Sequence, residues 1–240
     1  MPNKPDQSRT SFLRMHVSEF WSGDLGLTLV TIALVLLIFI ITPLREYGLR
    51  GRIFIDLAFV VLMISGALVV DQSRIASAAT VAVLLATAVA LTAGRLHPTL
   101  FLHLLGSALV TVSLLIYVRI VLLLTLRGGH VTWSRVQGGL SAYLLLGLAF
   151  ASAYQFVEVL HPGAFRFVSQ PTDLDQLISK FTYYSFTTLT TVGSDISPLL
   201  PFARSLTIAE AVVGQLFPAV LMGALVAMAL QSRESHRDPS

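Results

Sequence analysis

Apolar residues run along this chain in blocks of membrane-crossing length, separated by short polar breaks. Segments 25–42, 75–94, 98–118, 136–157 and 211–230 carry no formal charge, and 53–70 is interrupted only by Asp56. About 20 apolar residues are needed to cross a bilayer as a helix, so the pattern predicts six transmembrane helices. The connections are short except for residues 158–202, before the last span. That connection holds an apolar stretch of its own, 176–193, with Lys180 inside it. It is too short and too polar to cross, so a re-entrant segment is expected. Pro171-Thr172-Asp173-Leu174-Asp175 reads as a helix start with Thr172 as N-cap and an acid three residues on. The helix should run through the threonines of "TTLTT" and break at Gly193, Pro198 and Pro201, with the next helix starting near Phe202.

Composition agrees with a membrane protein. The chain is 55% hydrophobic and 12% charged, with a mean hydropathy of +0.78, against about 25% charge in soluble domains. The absence of cysteine excludes disulfides and thiol chemistry. The net charge of +3 is spread along the chain, not gathered into the patch that nucleic acid needs. The first apolar run ends in "TPLREYG" with no cleavage pattern, so it is expected to stay in the membrane. "SFLRMHVSEFW" could form a short interfacial helix, and the tail after Leu230 is too short to fold, so no soluble regulatory domain is expected.

Non-helical backbone at membrane depth survives only where protein or a water-filled cavity surrounds it. One chain cannot enclose such a loop; several copies around an axis can. The plainer reading of "TTLTT" is a polar helix face whose hydroxyls bond back to carbonyls.

The stretches "YYSFTTLTTVG" (183–193), "DISPLLPFARSL" (195–206) and "AEAVVGQLF" (209–217) resemble the pore module of bacterial ion channels in the potassium-channel superfamily. The resemblance covers about 136–230; the spans upstream match only in number and hydropathy. It implies an all-α integral membrane protein with a re-entrant pore helix and filter loop between the fifth and sixth helices, assembled as a homotetramer in the lipid bilayer. The divisions it implies are a cytoplasmic segment 1–24, a four-helix membrane domain 25–126, a linker 127–135, a pore domain 136–230 and a cytoplasmic tail 231–240. Thr191, Val192 and Gly193 would turn carbonyls toward K+ or another monovalent cation, the permeant ion, with no cofactor and no enzyme chemistry. Thr190 and Tyr184 would support the filter, and Glu210 would lie behind it with Arg204 or Lys180 as partner. Gly214 and Pro218 would form an inner-helix hinge, or Gly214 would simply allow close packing. Gln215 would face the cavity or bond a neighbouring helix.

The pattern departs from the family after Gly193. An aromatic, a second glycine and an aspartate are replaced by Ser194 and then Asp195 directly. This predicts a filter with its inner sites intact and a wider outer mouth ringed by Asp195, passing K+ and also Na+. Arg119 and Arg127 are eight residues apart, unlike the closely repeated arginines of a voltage sensor, and are expected at the cytoplasmic edge. Asp56 would pair with Arg95, His97 or His103. Both termini would be cytoplasmic in a bacterial inner membrane, although Arg45, Arg50 and Arg52 would then lie outside. The alternatives are a non-conducting homologue serving as sensor or subunit, a hydrolase using Ser194 beside Asp195, and a secondary transporter.

Overall fold

A computed structural model describes residues 24–42, 74–97, 99–126 and 133–234. Helix α1 (Asp24–Leu36) continues into a π-helical turn (Leu37–Ile41), followed by α2 (Arg74–Leu96), α3 (Leu100–Leu126) and α4 (Trp133–Leu160). Strand β1 (Phe165–Arg166), α5 (Leu174–Leu189), strand β2 (Ser197–Pro198) and α6 (Pro201–Glu234) complete the order. Among the described residues three helices are long and apolar enough to cross a membrane: Leu100–Leu123 of α3, Arg135–Leu160 of α4 and Pro201–Leu230 of α6. The apolar stretches of α1 and α2, Val30–Ile40 and Thr80–Gly94, are shorter. The expected span 53–70, Asp56 with its pairing, the interfacial helix, and Arg127 lie outside the described residues. Arg119 falls within the apolar stretch of α3 rather than beyond its end, with its side chain exposed.

Helix α4 is the hub, packing against α1, α3, α5 and α6. Lipid tails are as apolar as leucine, so close backbone approach and polar contacts must hold membrane helices together. The sequence of α4 supplies both. Gly138 faces Thr125 of α3, Gly139 faces Leu221 of α6, and Gly147 faces the ring of Phe186 on α5. A Cβ at Gly147 would lie 2.7 Å from that ring, so any larger residue would push the Phe186 ring aside. Hydroxyls add interhelical bonds: Thr31 with Ser141 at 2.7 Å, Thr87 with Ser113 at 2.9 Å, and Ser152 donating to the Ser107 carbonyl at 3.0 Å.

The connection between α4 and α6 folds back on itself. Glu158, in the last turn of α4, accepts from the backbone N–H groups of Gly163 (2.8 Å) and Phe165 (3.0 Å). Gly163 has φ +88°, the left-handed geometry that glycine reaches freely. The chain then enters β1, which pairs antiparallel with β2 through Phe165–Pro198 and Arg166–Ser197. This two-residue sheet clamps both ends of the re-entrant segment and was not expected from the hydropathy pattern. Beneath it, Tyr154 of α4, Phe165, and Phe181 and Tyr184 of α5 form an aromatic cluster with centroids 4.9–6.1 Å apart.

Helix α5 starts one residue later than the sequence suggested. Asp173, not Thr172, is the N-cap: its carboxylate accepts from Gln176 N–H at 2.9 Å. Gln176 in turn accepts from Thr172 N–H at 3.0 Å. An ionised cap bonds more strongly than a hydroxyl and suits the positive helix end, which is why Asp173 takes the position. At 16 residues, α5 is about 24 Å long, short of the about 30 Å hydrocarbon core. Alone it is too short to cross.

Candidate functional site

The C-terminal end of α5 runs straight into Thr191-Val192-Gly193. Thr190 is the C-cap. Thr191 N–H donates to the Thr188 carbonyl at 2.9 Å and Val192 N–H to the Thr187 carbonyl at 2.9 Å. These two bonds make a Schellman motif, whose left-handed position is normally glycine. Here it is Thr191, with φ +60°, the one non-glycine residue at positive φ among the described residues. A β-branched residue there is a backbone outlier costing about 1–3 kcal/mol. Gly193 follows at φ +87°, and its N–H also reaches the Thr187 carbonyl, at 3.1 Å. Handedness therefore alternates across the three residues, positive at 191 and 193 and negative at 192.

That alternation separates donors from acceptors. All three N–H groups bond back into the last turn of α5. The carbonyls of Thr191, Val192 and Gly193 accept from no described residue. Val192 is 78% exposed. Carbonyls need a hydrogen-bonding or coordinating partner, and these three have theirs outside the described residues, on the open side of the loop. The threonines divide accordingly. Thr187 and Thr190 hydroxyls bond back to the carbonyls of Tyr183 (2.9 Å) and Phe186 (2.7 Å), as on an ordinary helix face. The Thr191 hydroxyl does not.

The loop is seated by α4 and α6. Tyr143 donates to the Leu189 carbonyl at 3.2 Å, and its ring lies 5.6 Å from that of Phe217. A Cβ at Gly214 would fall 2.0 Å from the same Leu189 oxygen, so α6 touches the end of α5 backbone to backbone. This contact brings the next residue, Gln215, within 3.2 Å of Thr191 Oγ1, to which its amide donates. Helix α6 runs unbroken through Gly214 and Pro218.

Glu210 is 0% exposed, one turn before Gly214. Its partners are neither Arg204 nor Lys180. Tyr154 of α4 donates to Oε2 at 2.5 Å, and Ser185 of α5 contacts Oε1 while also donating to the Gly147 carbonyl at 2.7 Å. Lys180 donates to Ser169 and Arg204 to the Pro198 carbonyl, both in exposed pairs, and a cation kept at an exposed site avoids the desolvation that burial beside Glu210 would cost. One carboxyl thus joins three helices behind the loop. Tyr184 is also buried, its hydroxyl 2.7 Å from that of Thr207 on α6. Neither Tyr143 nor Tyr154 was singled out by sequence; the available signal was a polar-tipped ring inside an apolar span, repeated about three turns apart.

Beyond Gly193 the chain leaves the loop quickly. Ser194 Oγ accepts from Ile196 N–H at 3.0 Å and sits 3.4 Å from Asp195 Oδ1, a side-chain turn. Among the described residues no histidine bonds to Ser194, as a hydrolase would require. Asp195 is exposed and Ile196 is buried.

No curated protein and no solved structure matches the chain. Residues 142–231, which carry most of α4, helix α5, the loop and most of α6, match the family model described as "Ion channel", so this segment of the membrane protein is similar to ion channels.

Proposed function

We propose that four copies of this chain form a passive channel for monovalent cations, with Thr191, Val192 and Gly193 of each copy lining the narrowest part. One observation carries this reading: the three residues turn every N–H into their own helix and leave every carbonyl without a protein partner. Peptide oxygens so presented replace the waters around a dehydrating cation, provided that each site holds the ion weakly enough to release it. One chain offers such oxygens from one side only; a ring needs copies. Helix α6 supports the same conclusion. Only 11% of its apolar window is buried within the chain, against 61% for α4, which fits an inner helix that packs on neighbouring copies and lines a cavity. The membrane is a bacterial inner membrane with both termini cytoplasmic.

Selectivity follows from where the ladder stops. With Ser194 turned into its own local bonds and Asp195 exposed next to it, the carbonyl run ends at Gly193. Fewer consecutive sites and a wider outer mouth favour K+ with substantial Na+ permeation. The test is purified protein in liposomes and planar bilayers: native mass should give four copies, and reversal potentials in K+/Na+ gradients should show K+ preferred with measurable Na+ current. Near-total exclusion of Na+ would overturn the weakened filter. A well-folded tetramer without cation flux would overturn conduction and favour the sensor or subunit reading.

A further inference from the structure

Helix α3 carries one formal charge, Arg119, inside its apolar stretch. Two contacts fix its depth. Gly138 of α4 faces Thr125, and Ser152 donates to the Ser107 carbonyl, so α3 and α4 run antiparallel with Arg119 level with about Tyr143. The nearer end of α3 is Leu126, about 10 Å away along the helix. Helical Cα–Cβ bonds tilt toward the N-terminus, so the side chain sets out away from that end and snorkelling works against the backbone. Arg119 is exposed, in a stripe with exposed Val112, Leu115, Leu123 and Leu126. Helices α2 and α4 cover the other faces of α3. The guanidinium bonds no described residue. Nor do the surrounding helices offer a counter-charge: α2 and α3 hold no acidic residue, and Glu158 of α4 is engaged at the far end by Gly163 and Phe165.

The geometry points to a phospholipid site on this face of α3: the phosphate of an anionic lipid accepts from Arg119, and its acyl chains lie along Val112, Leu115, Leu123 and Leu126. A charge at membrane depth is costly unless it is met, and the guanidinium fork matches two phosphate oxygens at once. A second copy of the chain would not serve, because its α2 and α3 bring the same lack of carboxylates. Water would meet the charge but not the valine and leucines around it; a lipid meets both. An anionic headgroup is favoured over a zwitterionic one, whose phosphate already shares its charge with an amine. Helix α3 packs along α4, and α4 holds α5 and α6, so an occupied site braces the hub from outside. The site stands whether or not the chain conducts.

The experiment takes the purified full chain in neutral detergent and follows native mass and thermal melting during titration with phosphatidylglycerol, phosphatidylcholine, diacylglycerol of the same acyl chains, or inorganic phosphate. Phosphatidylglycerol should be retained most tightly and raise the melting temperature. Phosphatidylcholine should bind more weakly. Diacylglycerol and inorganic phosphate should add little, since each lacks one half of the ligand. Arg119→Gln and Arg119→Leu should bind phosphatidylglycerol about tenfold or more weakly, the worth of a charge-assisted pair, and Arg119→Lys should fall between them and wild type. Lys180→Gln, at the opposite end of the bundle, should bind as wild type does. Without lipid, Arg119→Leu should melt no lower than wild type, so weaker binding is separable from unfolding; a lower melt would reveal a protein partner for Arg119 and overturn the site. Equal binding of phosphatidylglycerol by Arg119→Leu and wild type would overturn it too, as would a full melting shift from diacylglycerol or inorganic phosphate.

Discussion

Replacing Glu210 by leucine removes the single group that α4, α5 and α6 share behind the loop. The side chain is 0% exposed, so no water can substitute. Tyr154, also 0% exposed, loses the acceptor for its hydroxyl. An orphaned buried hydroxyl costs about 1–3 kcal/mol, and the two lost bonds are worth about 0.5–1.5 kcal/mol each. Ser185 is protected, because it keeps the Gly147 carbonyl at 2.7 Å. Polar contacts between membrane helices average only about 0.6 kcal/mol, since separated helices find other partners. That lowers the sum but does not cancel it, because the folded state offers Tyr154 no alternative. The expected loss is about 2–4 kcal/mol.

Glutamine at the same position should cost less than about 1 kcal/mol. Its carbonyl still accepts from Tyr154, and its amide donates to Ser185 Oγ, whose proton then goes wholly to Gly147. The two-residue change Glu210→Leu/Tyr154→Phe should be milder than the sum of its parts by about 1–3 kcal/mol, because it removes the orphan together with its partner. Denaturation of the purified protein in detergent, followed by circular dichroism, measures these three variants and the Tyr154→Phe single change against wild type. If Glu210→Leu matched wild type, or if Glu210→Gln were as harmful as Glu210→Leu, the shared-carboxyl argument would be refuted.

Gly214→Ala should destabilise the protein by about 1–3 kcal/mol or more, the usual range for overpacking, because the obstructing atom is a backbone oxygen that cannot rotate away; thermal melting of the purified protein checks it. At Gly193 a Cβ would meet nothing within 4 Å, so the penalty for substitution is conformational alone. Gly193→Asn should then conduct better than Gly193→Val, since asparagine tolerates left-handed geometry and a β-branched residue does not, and bilayer recordings would show the order. Asp173→Ala should lose about 1 kcal/mol through the cap, whereas Thr172→Ala should lose only a few tenths, a difference readable in the same melts.

What was legible in the sequence was whatever depended on local pattern. The existence and approximate place of α3, α4 and α6, the break at Gly193 and a helix start within one residue of Pro201 follow from hydropathy and from residues with restricted backbone angles, whereas the apolar stretch of α6, Pro201–Leu230, is longer than the expected span 211–230. Contacts across elements were legible only by resemblance. Glu210 was marked as a group behind the loop, but its partners were misassigned to Arg204 and Lys180. Charge complementarity was the wrong guide, because in an apolar setting a buried carboxyl is met more cheaply by hydroxyls already fixed on neighbouring helices than by a cation that must be stripped of water. The pairing of β1 with β2 could not be read either: each strand is two residues long, too short for any periodicity. The Asp173 cap was missed by one position because Thr172 and Asp173 both satisfy the motif, and only the backbone decides.

The position of Thr191 is where these strands of reasoning meet. A helix that ends in membrane needs its last carbonyls satisfied, and the Schellman motif does this at the cost of one left-handed residue. Glycine would be the cheap choice, yet this chain places glycine two residues later and accepts a threonine outlier at φ +60°. A residue kept against its own backbone preference must supply something glycine lacks, and the only thing Thr191 adds is a side chain whose hydroxyl meets Gln215. The same turn that caps α5 uses the N–H groups of all three residues and leaves their carbonyls without a partner among the described residues, so under the proposed function capping the helix and presenting oxygens to an ion would be one structural act rather than two. Substituting Thr191 by glycine should therefore relieve strain and leave the protein at least as stable, while impairing conduction. Gain in both stability and conductance would show that the hydroxyl has no part in permeation.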